Sequence, residues 1–137
     1  MKNIISILLF ACVLISFTAC NEDETIHQIE ESNKTHFNPP SWIQGKWGYE
    51  KNGDSYEFRF SKNNFYVKNG AEMDYNNLIN MTNVGGNSIT VTETTTDNVY
   101  KFSLKGGAIT ADFEFKKLDN QTIVHISNDT DLEMFKK

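Results

Sequence analysis

The chain has only two cysteines, Cys12 and Cys20, and both fall within its first twenty residues. Everything after Cys20 is therefore without a disulfide, a thiolate zinc site or a cysteine nucleophile. Proline is as scarce, with Pro39 and Pro40 the only two, and the three histidines are His27, His36 and His125. The longest mostly apolar run, Ile4 to Phe17, is shorter than the roughly 20 residues that cross a bilayer as a helix. The glycines fall at turn-like sites and form neither a phosphate-binding loop nor a dinucleotide fingerprint. Basic residues number 13 against 18 acidic ones, a balance that repels nucleic acid.

What is present begins with a secretory pattern. Lys2 supplies a positive start, Ile4 to Phe17 an apolar stretch, and Thr18 and Ala19 a small-residue end, the three parts of an export signal. Asn21, Glu22, Asp23 and Glu24 follow with no positive stop, so a permanent transmembrane helix is not expected. Phe17-Thr18-Ala19-Cys20 resembles the lipobox of bacterial lipoproteins. That resemblance implies cleavage before Cys20, acylation of Cys20 with fatty chains such as palmitate, and a membrane-anchored mature chain. Leu9-Phe10-Ala11-Cys12 offers a second such stretch, but a cut there would shorten the apolar region and leave an apolar start to the mature chain. An ordinary signal with a stray cysteine is the bland alternative. Cleavage before Cys20 removes one of the 13 basic residues and none of the 18 acidic ones, leaving a net charge of −6.

From Asn21 to about Asn38 the chain is polar and acidic without apolar periodicity, and it reads as a disordered stalk. Glu22-Asp23-Glu24 resembles the export tags that send some lipoproteins to the outer face of the outer membrane; the same residues also suit a plain soluble linker. Pro39 and Pro40 stiffen the end of the stalk. The expected organisation is a signal over 1–19, the lipidated cysteine and tether over 20–40, and a folded domain over 41–137.

Within that domain apolar residues recur with a period of two, the mark of half-buried strands. Tyr56, Phe58 and Phe60 alternate with Ser55, Glu57 and Arg59, and Ile109, Ala111, Phe113 and Phe115 alternate with Thr110, Asp112, Glu114 and Lys116. Eight strands are expected, near 45–51, 55–61, 64–68, 87–96, 98–105, 108–117, 121–127 and 131–136. Asn, Asp and Gly clusters such as Asn69-Gly70 and Gly106-Gly107 separate them and suit short hairpins. After the third strand, Asp74 stands ready to cap a short helix from about 75 to 82, with one more irregular strand as the alternative. An all-β, antiparallel up-and-down barrel follows, a sandwich being the other solution for strands with one apolar face. Tyr56, Phe58, Phe60, Phe65, Tyr100, Phe102, Phe113 and Phe115 converge on its interior. A barrel of this size holds side chains alone or one small ligand, so both a filled and an open cup stay possible.

The stretch Pro40-Ser41-Trp42-Ile43-Gln44-Gly45-Lys46-Trp47 carries a second resemblance. Gly45-x-Trp47 at the start of the first strand resembles the motif of the lipocalin and calycin barrels. With the strand–helix–strand order from about Pro39 to Lys137, the chain is similar to the small lipocalin-like lipoproteins of Gram-negative bacteria. The resemblance implies that Trp47 closes one end of the barrel and that Lys136 or Lys137 lies over it.

Catalytic constellations are hard to assemble. His125, within Thr122-Ile-Val-His-Ile-Ser, reads as a histidine on the outer face of a strand, without a visible serine and carboxylate to make a triad. Glu57, Asp112 and Glu114 alternate with apolar residues and face water rather than a sugar. Asp129, Asp131 and Glu133 lack the glycine and terminal acid of a calcium loop. No enzyme, cofactor or metal is expected. The leading expectation is an envelope lipoprotein, lipid-anchored through Cys20 at the outer membrane, whose Tyr- and Phe-lined barrel binds a small apolar or amphipathic ligand. The alternative is a protein-binding inhibitor or immunity module that uses loops or the acidic outer face.

Overall fold

The computed structural model describes residues 34–51, 54–127 and 130–137. The signal stretch 1–19, Cys20, the tether as far as residue 33, and Asp129 lie outside the described residues. Among the described residues nine strands and one helix follow in order: β1 (Gly45–Lys51), β2 (Asp54–Phe60), β3 (Phe65–Asn69), β4 (Ala71–Asp74), α1 (Tyr75–Val84), β5 (Thr90–Thr95), β6 (Val99–Gly106), β7 (Ile109–Lys117), β8 (Thr122–Ile126) and β9 (Leu132–Lys136). They form one antiparallel sheet in the order β4-β3-β2-β1-β9-β8-β7-β6-β5, curled into a half-barrel.

Side chains reveal the curl. β3 and β6 stand six positions apart in the sheet, which would separate them by about 29 Å if it were flat. Yet the rings of Phe65 and Phe102 lie 4.9 Å apart, and those of Phe58 on β2 and Phe115 on β7 lie 5.2 Å apart. Burial of aromatic faces against one another is what holds the sheet rolled.

All eight expected strands are present within a few residues of their expected limits, and Ala71–Asp74 adds a ninth. The helix therefore follows the fourth strand rather than the third. Ala71, Glu72 and Met73 are exposed, so this strand carries no inward apolar alternation to announce it. It is held instead by its pairing with β3, Val67 opposite Met73 and Lys68 opposite Glu72, across a turn in which Gly70 has φ +80°.

Asp74 caps α1 as expected: its carboxylate accepts from the Asn77 backbone N–H at 2.9 Å. The same oxygen accepts from Asn64 Nδ2 at 2.9 Å, and Asn64 Oδ1 in turn accepts from the backbone N–H groups of Phe65 and Asn76. A buried asparagine thus ties the start of β3 to the first turn of the helix.

The wall is closed by a hydrogen-bonded ladder on one side only. β1 pairs with β9 through Trp47 opposite Lys136 and Gly48 opposite Phe135. Among the described residues no ladder joins β4 to β5. That seam is filled by α1 and by residues 34–38, read from the sequence as the end of the tether. Phe37 is only 3 % exposed and its ring lies 6.2 Å from Phe65 and 5.3 Å from Phe102, spanning the gap from β3 to β6. His36 Nε2 is 2.7 Å from Asn80 Oδ1, its backbone N–H donates to Asn76 Oδ1, and both asparagine amides donate to the Lys34 carbonyl. One apolar residue in a polar run makes no periodic signal, so only the gap in the wall explains why this segment is ordered.

Candidate functional site

One end of the half-barrel is built around Trp47, which is fully buried. The turn over 40–43 brings the Ile43 carbonyl to accept from the indole Nε1 at 2.6 Å. Lys136 Nζ lies 5.3 Å from the Trp47 ring centroid, a distance at which a cation is attracted to the ring face. Gly45 makes room for this arrangement: its φ is +126°, and a Cβ there would stand 3.3 Å from Lys136 Cε. Close by, the buried Tyr100 hydroxyl donates to the Glu93 carboxylate, which also accepts from the Asn38 backbone N–H. Burial first, and the Glu93 hydrogen bond next, push the Tyr100 pKa up, so this hydroxyl stays protonated.

The sequence-derived interior residues divide into two groups. Phe58, Phe60, Phe65, Tyr100, Phe102 and Phe115 are each no more than 2 % exposed. Phe65 is their hub, with ring centroids 5.7 Å from Phe58, 5.1 Å from Phe60 and 4.9 Å from Phe102. These six fill the middle of the half-barrel with one another. Tyr56 and Phe113 are instead half-buried, at the end away from Trp47.

Two further side chains join them there. Tyr75, the first residue of α1, lies 5.0 Å from Phe65 and 6.0 Å from Phe113. Burial, and next the nearby Tyr56, push the Tyr75 pKa up. His125 does not sit on the outer face of β8 as expected from the sequence. It pairs with Phe115 and projects inward, 5.0 Å from the rings of Phe58 and Phe115 and 6.1 Å from Phe113. In Thr122-Ile-Val-His-Ile apolar residues fall on both faces, and alternation alone favours Val124 and Ile126 as the inner set. The pairing of Ile123 with Met134 and of His125 with Phe115 selects the other set.

The environment of His125 is unusual for a histidine. Its Nδ1 is buried and has no hydrogen-bond partner among the described residues. Desolvation lowers its pKa below the ordinary 6.5, outweighing the opposite pull of Asp131, so the ring is neutral at pH 7. The ladder between β7 and β8 runs only from Lys117–Ile123 to Glu114–Ile126, while β7 continues back to Ile109. At that gap a groove of about 600 Å³ reaches Phe113 and His125, with Lys101, Asp112 and Glu114 on its outer rim. Lys101 pairs with Glu114 at 2.6 Å, so those two charges offset each other, and Ser103 donates to the Asp112 carboxylate.

Two other grooves touch none of the sequence-derived interior aromatics. One, of about 670 Å³, runs between Lys34–His36, the end of α1 and Ser88–Val91; the other, of about 460 Å³, lies outside β1 and β9. Of these three grooves, the one at the β7–β8 gap is the one that touches interior aromatics, at Phe102 and Phe113. No family model, no curated protein and no solved structure matches the chain.

Proposed function

We propose that the chain is a bacterial envelope lipoprotein, held at the outer membrane by lipid on Cys20, whose lipocalin-like barrel binds a small apolar or amphipathic ligand without catalysing a reaction on it. The observation that carries the ligand reading is the contrast along the interior: aromatics fully buried around Trp47 and Phe65, half-buried ones at Tyr56, Tyr75 and Phe113, and His125 Nδ1 left unpaired among them. Partly exposed aromatic rings beside a few polar groups are the chemistry of small-molecule capture. Gly45, Trp47 and the Lys136 cation over the indole support the lipocalin-like reading, in which the opposite end is the mouth.

The test uses the full chain in lipid nanodiscs, titrated with the neutral fluorophore N-phenyl-1-naphthylamine against empty nanodiscs. Saturable one-site binding competed by dodecanoic acid is expected. Labelled palmitate fed to the producing cell should enter the protein and be lost in Cys20→Ala.

The filled middle of the barrel favours a second reading. Six interior aromatics occupy the space a deep ligand would need, which suits a rigid scaffold that presents loops or its acidic outer face to an envelope protein. Absence of dye binding by a folded chain, together with a salt-sensitive basic protein partner, would decide for this alternative.

A further inference from the structure

We infer that the outer stripe of helix α1, with Met81 and Val84 at its centre, seats on the lipid bilayer that holds the Cys20 anchor. This rests on the lipoprotein reading above and adds an orientation to it: the seam side of the half-barrel faces the membrane.

Charge is the first argument. None of the chain's 13 basic and 18 acidic residues falls between Tyr75 and Thr92, a stretch that includes all of α1. A surface helix ordinarily turns charged residues outward. Here Asn77, Met81 and Val84, spaced i, i+4 and i+7, form the exposed stripe, with Met81 67 % and Val84 46 % exposed. The other exposed large apolar side chains stand among charges. Met73 is flanked by Glu72 and Asp74, Leu118 by Lys117 and Asp119, and Phe135 shares its groove with Glu50, Glu133 and Lys137. Pressing charges against lipid costs free energy, and the α1 stripe carries none.

The place where the tether joins the fold is the second. Asn76 and Asn80 of α1 both donate to the Lys34 carbonyl, so the chain coming from Cys20 reaches the fold on this helix. Cys20 stands fourteen residues before Lys34, a stretch that spans at most about 50 Å. An anchor that close keeps the stripe at an effective concentration of about millimolar, so a contact too weak to hold a free domain still forms. Lys34 is exposed and is attracted to anionic headgroups. On the opposite side of the roll lies β9, fifth of the nine strands in the sheet, which turns Met134 inward and leaves Glu133 and Phe135 exposed.

The lipidated chain in nanodiscs of phosphatidylcholine and phosphatidylglycerol tests this. Lipid blocks Cys20 and Cys12 leaves with the signal, so Asn77→Cys or Glu133→Cys supplies one thiol for a nitrobenzoxadiazole fluorophore. A lipid with a nitroxide on its headgroup should quench the Asn77→Cys reporter at least about threefold more than the Glu133→Cys reporter on the opposite side. Adding Met81→Glu and Val84→Glu should bring the first reporter down to the level of the second, with the circular dichroism spectrum unchanged. Should that pair of substitutions disturb the fold, Met81→Gln with Val84→Gln takes its place. Equal quenching at the two reporters, or quenching at Asn77→Cys that survives both substitutions, would overturn the seating and leave the lipoprotein reading standing. A blue shift of the Asn77→Cys reporter that grows with the number of chains per disc, without nitroxide quenching, would overturn it in favour of a second copy on this face. A chain that does not stay with the nanodisc would overturn both readings.

Discussion

The two ends of the half-barrel are made from the same residue types and reach opposite outcomes. At one end Trp47 is sealed by Ile43 beneath its indole N–H and by Lys136 over its ring. At the other, Tyr56, Tyr75 and Phe113 stop half-buried, and His125 Nδ1 has no hydrogen-bond partner among the described residues. The path of the backbone past each end makes the difference. Around Trp47 the chain folds back through the 40–43 turn and the C-terminal strand, so every side of the indole is covered. Around His125 the β7–β8 ladder stops at Glu114 and Ile126, and among the described residues no strand pairs with the rest of β7 on that side. Aromatic content makes a core only where the backbone supplies a lid.

Replacing one aromatic at each end gives the largest contrast. Trp47→Ala should cost about 3–5 kcal/mol, as for a fully buried large side chain, and Phe113→Ala less, about 1–2 kcal/mol, because Phe113 is only partly buried. Chemical denaturation followed by circular dichroism measures both, and equal losses would erase the distinction between the ends. Acid sharpens the contrast next. Because burial holds the His125 pKa below 6.5, the unfolded chain takes up a proton first. The contribution of His125 is therefore whole above about pH 6.5 and declines as pH falls through that value toward the folded-state pKa. Glu50 and Glu72 have their pKa values lowered from 4.5 by ion pairs with Lys137 and Arg59, so their effect enters at lower pH and is separable. His125→Phe should flatten the decline between pH 7 and the carboxylate range. The smallest effect belongs to the closed end: Lys136→Met keeps the stem over Gly45 but removes the cation, and should cost about 0.5–1 kcal/mol.

Much of the framework could be read from residues alone. The alternation of Tyr56, Phe58 and Phe60, and of Phe113 and Phe115, placed β2 and β7, while Gly106-Gly107 placed the turn into β7 and Asn69-Gly70 the turn that ends β3. Asp74 announced the helix by the single property of a carboxylate that accepts from a free amide. Six of the eight aromatics expected inside are buried there. The features that escaped share one trait: each depends on a partner distant in sequence. β4 is a strand because β3 offers it an edge, Phe37 is ordered because the β4–β5 seam has room for a ring, and His125 turns inward because Ile123 faces Met134.

Local residue pattern by itself determined which stretches are strands, where they turn and which side chains are apolar enough to meet. Only the tertiary structure decided that, among the described residues, the sheet rolls without a ladder between β4 and β5, that a segment before the first strand fills the seam, and that His125 turns inward with its Nδ1 buried. The physical reason is range. Alternation and turn chemistry act over a few residues, whereas closure and burial depend on pairings across up to most of the chain, such as Trp47 with Lys136.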